Sequence, residues 1–202
     1  MEMCKGCKAH CCKNNTVDLT IFDIIRLLNA TEGDIEKFLY IQETNENYRS
    51  FRVNGKFWQF RLKRIKNGVD NICVFLSKDG DYRCTVQDFK PGICFAYPFS
   101  IVSDKAGKHM LREDRVCPIK RLPTQTDVRN AKQDLKDELW EWQVYERMVA
   151  KWNNTGDSKK IEDFFVYATK EAEFETKKTV QTYRAIGSYV GGFLRRFLSN
   201  KK

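Results

Sequence analysis

A chain of 202 residues with 42% hydrophobic and 31% charged residues has apolar content enough for one good-sized core, which excludes a disordered chain. Its longest apolar runs, "IFDIIRLLNA" and "YVGGFLRRFL", are broken by charge and fall well short of the ~20 residues a membrane-spanning helix needs. The net charge of +9 is concentrated: Thr176 to Lys202 holds seven basic residues (Lys177, Lys178, Arg184, Arg195, Arg196, Lys201, Lys202) and no acidic one, which argues for a local docking tail rather than a uniformly basic nucleic-acid binder.

The chain opens on "CKGCKAHCC", which puts Cys4, Cys7, Cys11 and Cys12 with His10 in nine positions; Cys73, Cys84, Cys94 and Cys117 follow singly. The start "MEMCKGCKAH" lacks the apolar stretch of a secretory signal, so a cytoplasmic protein is expected. In a reducing cytosol such thiols bind metal or do redox chemistry more often than they form structural disulfides. Thiolates are soft ligands suited to zinc, iron–sulfur clusters and copper(I). The two-residue gap between Cys4 and Cys7 lets both sulfurs reach one ion, with Gly6 available for a positive dihedral. Adjacent side chains of an extended segment point to opposite faces, so Cys11 and Cys12 are expected to serve different centres or different corners of one cluster. Eight thiols suffice for two four-thiolate sites, and the N-terminal four are expected to be completed by Cys73, Cys84, Cys94 and Cys117. The bland alternatives stay open: Cys73 and Cys94 have apolar neighbours and also suit a buried core, and His10 is either a ligand or a solvated ring.

Thr20 with Asp23 three residues on reads as a capping box, and the apolar positions 21, 24, 25, 27 and 28 predict a helix. Thr31 with Asp34 predicts a second short helix around Ile35 to Ile41. Residues 51 to 66, "FRVNGKFWQFRLKRIK", alternate aromatic or branched residues with basic ones, with Asn-Gly pairs at 54–55 and 67–68, the pattern of one or two strands in hairpins. Trp58 lies there, as a packing residue or a base-stacking one. "FSIVSDKAGKHMLRED" predicts another hairpin turning near Ala106 and Gly107, with His109 at the surface. Apolar residues at 135, 139, 142, 145, 149 and 152 predict a long amphipathic helix capped by Thr126 and ended by "NNTGD". A shorter helix from Ser158 to Ala172 follows, and then a glycine-weakened helical tail from Thr179 to Leu198. The expected fold class is α+β: a small cysteine-rich, metal-stapled module of short hairpins and helices over residues 1–122, then a helical region with a basic tail over 123–202.

No GxGxxG, P-loop, GxSxG or HExxH sequence is present, and a Cys–His nucleophile among so many competing thiols is disfavoured. The series CxxCxxxCC at 4–12, "VDLTIFDIIRLL", "CVFL", Cys84, "KPGICFAYPF" and Cys117 resembles the YkgJ-type cysteine-cluster family, described as zinc- or iron-chelating, over roughly residues 4 to 120. Where that family usually reads RPxxCRxYPF, Lys90 and Phe95 stand here in place of two arginines. The cysteine-cluster region of flagellin lysine N-methylases is similar too, and that resemblance implies an iron–sulfur cluster in preference to zinc.

Three functions compete. The first is a cytoplasmic iron–sulfur protein acting as a redox, cluster-handling or accessory subunit for a protein partner bound through the basic tail. The second is a structural-zinc module using the tail and "KFWQFRLKRIK" on RNA or a ribonucleoprotein. The third, implied only by resemblance, is an iron–sulfur-dependent lysine methyltransferase.

Overall fold

Thr20 starts the first long helix. Its hydroxyl accepts from the Asp23 amide at 3.2 Å, and Asp23 Oδ2 accepts from the Thr20 amide at 2.8 Å, so two otherwise unpaired donors satisfy each other reciprocally. The structure, a computed structural model, describes residues 8–45, 49–68, 70–77, 79, 82–103, 109–113, 124–155 and 160–185. In chain order its elements are α1 (His10–Asn14), α2 (Ile21–Ala30), a 3-10 turn (Ile35–Lys37), β1 (Leu39–Thr44), β2 (Phe51–Val53), β3 (Lys56–Leu62), β4 (Arg64–Asn67), β5 (Asp70–Cys73), α3 (Gly92–Ala96), β6 (Phe99–Ser103), β7 (His109–Glu113), α4 (Gln125–Asn154) and α5 (Ile161–Ala185). The fold is α+β, with small antiparallel sheets first and long helices after them.

β1, β3 and β2 form a three-stranded sheet in that order, with Leu39 opposite Leu62 and Phe51 opposite Trp58. The hairpin between β2 and β3 turns on Asn54 and Gly55, both at positive φ (52° and 75°), as a two-residue turn matching strand twist requires. β4–β5 and β6–β7 are separate two-stranded hairpins.

One core joins the sheet to the long helices. Phe22 and Leu27 of α2, Phe51 and Phe60 of the sheet, Tyr145 and Met148 of α4, and Phe164 and Ala168 of α5 are buried together. Phe51 and Phe164 stack with ring centres 3.9 Å apart, and Phe22 lies 5.2 Å from Trp140. Trp58 packs half-buried against this core. No helix among the described residues is long and apolar enough to cross a membrane.

Three local expectations are corrected. The helix expected around Ile35 to Ile41 is a single 3-10 turn, because Leu39–Thr44 finds a strand partner in residues 57–62 that local pattern does not reveal. α4 is capped by Thr124, whose hydroxyl accepts from the Asp127 amide at 3.1 Å; Thr126 lies inside the first turn. The helix expected to stop at Ala172 runs on to Ala185, since Ala172, Thr176 and Val180 continue its buried stripe. β1 itself was not foreseen. The turn at Ala106 and Gly107 and the tail beyond residue 185 lie outside the described residues.

Candidate metal centre

Three stretches of chain bring four thiols to one cavity, Cys11 and Cys12 from α1, Cys73 from the end of β5 and Cys94 from α3; Cys84, bridged to Leu76, interacts electrostatically with this set but does not line the cavity. Cys4, Cys7 and Cys117 lie outside the described residues, and no disulfide joins the described five.

α1 is a single turn with no buried residue of its own, so its neighbours must hold it. Ala9 precedes it at φ 57° and is buried with Ile72 and Leu76. The Lys13 ammonium lies 4.5 Å from the centre of the Tyr82 ring. The Arg64 guanidinium of β4 donates to the carbonyl oxygens of Lys13, Asn15 and Asn71, which ties the end of α1 to β5. Opposite-facing Cys11 and Cys12 would require an extended backbone. Here it is helical, successive side chains turn by about 100°, and the two sulfurs lie 4.0 Å apart.

Cys84 is held by backbone pairing: the Ser77 amide donates to the Arg83 carbonyl at 2.8 Å and the Thr85 amide to the Phe75 carbonyl at 2.9 Å. Cys94 is held by the "KPGIC" segment. The Pro91 carbonyl accepts from the Cys94 and Phe95 amides, and the Gly92 amide donates to Asp23 Oδ1 at 2.9 Å. A β-carbon at residue 92 would meet Cβ and Cγ of Glu138 at 3.3 and 3.2 Å, so glycine is what lets α3 lie close against α4. Behind it, buried Arg26 donates to Asp23 and bidentately to Glu141 at 2.5 and 2.8 Å. The segment bearing Cys94 thus rests on a buried ion network linking α2, α3 and α4.

The thiols perturb one another. A hydrogen bond with Cys12 and then burial push the Cys11 thiol far above its ordinary value. Cys12, whose bond with Cys11 favours its thiolate, is nonetheless pushed up to about 12 by its bond with Cys73 and by burial. Cys73 is lowered, because the Cys12 thiol donates toward it against the cost of burial. Cys94 is raised, first by burial and then by the charges of Cys12 and Cys11, with Lys90 pulling the other way. Burial and mutual repulsion together oppose the simultaneous ionisation of these thiols. A bound cation removes that repulsion and releases the protons, so the set suits a soft metal or cluster.

A cavity of about 350 Å³ opens among them, lined by Cys11, Cys12, Cys73 and Cys94 together with Leu62, Arg64, Ile93 and Tyr97. None of its described lining residues is a carboxylate or an imidazole; His10 instead bonds within its own turn to Asn14. Among the described residues, no group of three or more His, Cys, Asp or Glu side chains is arranged so that it could hold a metal ion. The side chain of His109 lies outside the described residues.

Arg64, Arg26 and Glu141 were missed as supports of the site. Arg64 is one basic residue among several on its strand. Arg26 and Glu141 do carry a signal, a charge set between Ile25 and Leu27 and between Trp140 and Trp142 on otherwise apolar stretches.

An α+β fold that converges thiols from distant positions on one cavity defines a metal-binding cysteine-cluster protein. The chain belongs to the CxxCxxCC family, described as a "putative zinc- or iron-chelating domain", which matches residues 3–118. No curated protein and no solved structure matches the chain at a significant level.

Proposed function

We propose that the protein carries iron–sulfur, in one or two clusters of four thiolate ligands each drawn from Cys4, Cys7, Cys11, Cys12, Cys73, Cys84, Cys94 and Cys117, and that it serves a protein partner as a redox, cluster-handling or accessory subunit. The observation that carries this reading is the thiol-lined cavity of about 350 Å³. A single zinc ion inside four thiolates at ~2.3 Å fills little of such a space. A multi-iron cluster, ligated by thiolates alone, uses both the volume and a described lining that offers no carboxylate or imidazole. The adjacent sulfurs of Cys11 and Cys12, 4.0 Å apart, suit neighbouring corners of one cluster. Partner docking is assigned to the basic residues from Lys177 onward, of which Lys177 and Lys178 are exposed on α5.

The test is purification without oxygen, followed by a visible spectrum and by iron and acid-labile sulfide counts per chain. A brown protein with matching iron and sulfide supports the reading. A colourless protein with stoichiometric zinc overturns it in favour of a structural-zinc module. In that case, RNA binding that weakens steeply with salt and on deleting 176–202 identifies the other function.

A further inference from the structure

Arg64 opens β4 opposite Cys73, the last residue of β5. Its guanidinium donates from Nη1 to the Asn15 carbonyl and from Nη2 to the carbonyls of Lys13 and Asn71. Lys13 and Asn15 lie at the C-terminal end of α1, where carbonyls have no partner within the helix. Asn71 lies on β5, two residues before Cys73. One planar fork therefore spans the turn that carries Cys11 and Cys12 and the strand that ends on Cys73. α1 cannot hold that position alone. Its five residues fall well below the ~12–15 at which an isolated helix persists, and it buries none of them. Ala9, packed on Ile72 and Leu76, fixes its start, and Lys13 adds a ring-face contact with Tyr82. The hydrogen bonds that fix its end come from Arg64. Arg64 also lines the thiol cavity, so its geometry and its charge have to be tested apart.

We infer that Arg64 is the positioning residue of the thiol site: it holds the Cys11–Cys12 turn against the Cys73 strand before metal arrives, so that binding metal does not have to order that turn. The inference rests on these thiols being the metal site, and it holds for iron–sulfur and zinc alike. Ligands ordered beforehand bind more tightly than ligands ordered on binding, by the cost of the ordering. Without the fork, the α1 thiols belong to a frayed segment and the metal must form the turn as it binds. The role needs two nitrogens held in one plane. A lysine ammonium keeps the charge, but on a single nitrogen at the end of a flexible stem, and it cannot reproduce a span over three carbonyls.

The experiment compares full-length wild type, Arg64→Met, Arg64→Lys and a control, Arg49→Met. The control loses an ion pair with Glu146 and a contact with the Trp142 ring, and none of these three residues lines the cavity. In the reduced, metal-free chains, amide hydrogen exchange is followed at Lys13 and Asn15, whose amides donate to the Ala9 and Cys11 carbonyls within α1. Cobalt(II) affinity is then measured without oxygen from the thiolate-to-cobalt absorption. Both Arg64 variants should speed exchange at Lys13 and Asn15 about tenfold, because hydrogen bonds from a charged donor are the stronger kind. Both should bind cobalt about tenfold more weakly. Arg49→Met should stay within a factor of about two of wild type in both measurements, since a single turn opens locally, independently of the rest of the fold.

Unchanged exchange at Lys13 and Asn15, or unchanged cobalt affinity, in Arg64→Met overturns the inference. Wild-type behaviour of Arg64→Lys also overturns it, by assigning the effect to charge in the cavity. An Arg49→Met chain that loses as much affinity overturns it too, by assigning the effect to general stability. If Arg64→Met does not fold, Arg64→Lys decides by the same two measurements. Wild type that binds cobalt but takes up no iron and sulfide overturns the iron–sulfur reading alone, because Arg64 acts on the thiol-bearing segments whichever metal they take. Wild type that binds no metal through its thiols overturns both.

Discussion

Arg26 enters the core of α2 as a full charge among Ile24, Leu27 and Phe22, and it is 6% exposed. Its partners are Asp23 on its own helix and Glu141 on α4, which is 2% exposed. Removing one partner of a buried pair strands the other charge, which costs about 3–5 kcal/mol in general. Asp23 remains beside Arg26 after Glu141→Gln, so the expected loss is nearer 2–3 kcal/mol by urea titration. The double change Arg26→Met with Glu141→Met removes both charges, and Asp23 keeps its bonds from Thr20 and Gly92. That double variant should cost less than Glu141→Gln alone; simple addition of the single losses would contradict the network.

Glu138 lies beside this network, and it makes the stability depend on pH. Burial first, and then the charge of Asp23, push its carboxyl from 4.5 up to about 7. A raised carboxyl means the folded state binds the proton more tightly than the unfolded one. Its contribution is therefore fully present below about 4.5 and lost as the pH rises through about 7. Because Glu138 is only half-buried, the expected loss between pH 5 and pH 8 is about 1–2 kcal/mol. Glu138→Gln should abolish that slope, read as the difference between the two proteins' denaturation midpoints at each pH. Parallel curves would show that some other group titrates.

At the scale of elements, α3 shows how closely the thiol site depends on backbone contact. It is one turn long, and its first residue is the glycine pressed against Glu138. Gly92→Ala places a methyl group 3.2–3.3 Å from Glu138 Cβ and Cγ, tighter than van der Waals contact, and α3 must move away from α4. The expected cost is about 1–2 kcal/mol, with weaker metal retention because Cys94 sits two residues on. Glu138→Ala on the same chain leaves only the Cβ contact and should recover part of both losses. Equal losses in the two backgrounds would show that the contact is not what requires glycine.

The same scale shows what was legible in the sequence. The α2 start was readable because Thr20 and Asp23 complete each other within three residues. The hairpin over 51–62 was readable because Asn54–Gly55 announces its turn. The end of the Ile35 helix was not, because β1 exists only through pairing with residues 57–62, about 20 positions later. The true α4 cap was overlooked because Thr124 and Thr126 both precede Asp127, and only Thr124 has the three-residue spacing that closes the box. The cysteines were legible as a set. Their geometry was not, since the relation of Cys11 to Cys12 turns on whether that single turn is helical, and the groups that hold it, Arg64 on the carbonyls of Lys13 and Asn15 and Ile72 and Leu76 against Ala9, lie on distant parts of the chain.

For the whole molecule, the family match ends at residue 118 but the core does not. Val144, Tyr145, Met148, Val149, Phe164, Ala168, Ala172 and Val180 are buried in the same cluster as Phe22, Phe51 and Phe60. Each large side chain among them contributes about 1.5–3 kcal/mol by burial, so α4 and α5 together supply on the order of 10 kcal/mol. That equals or exceeds the net stability of most domains, about 5–15 kcal/mol. A chain ending at residue 122 would also expose the faces of Phe22 and Phe51 that Trp140 and Phe164 cover. It would leave Arg26 without Glu141 as well. With metal excluded by chelator, such a chain should show no cooperative urea transition and should bind a hydrophobic dye, while the full chain melts in one step. Cooperative unfolding of the shortened chain, with a denaturant slope in proportion to its length, would mean that the cysteine-bearing part needs neither helix.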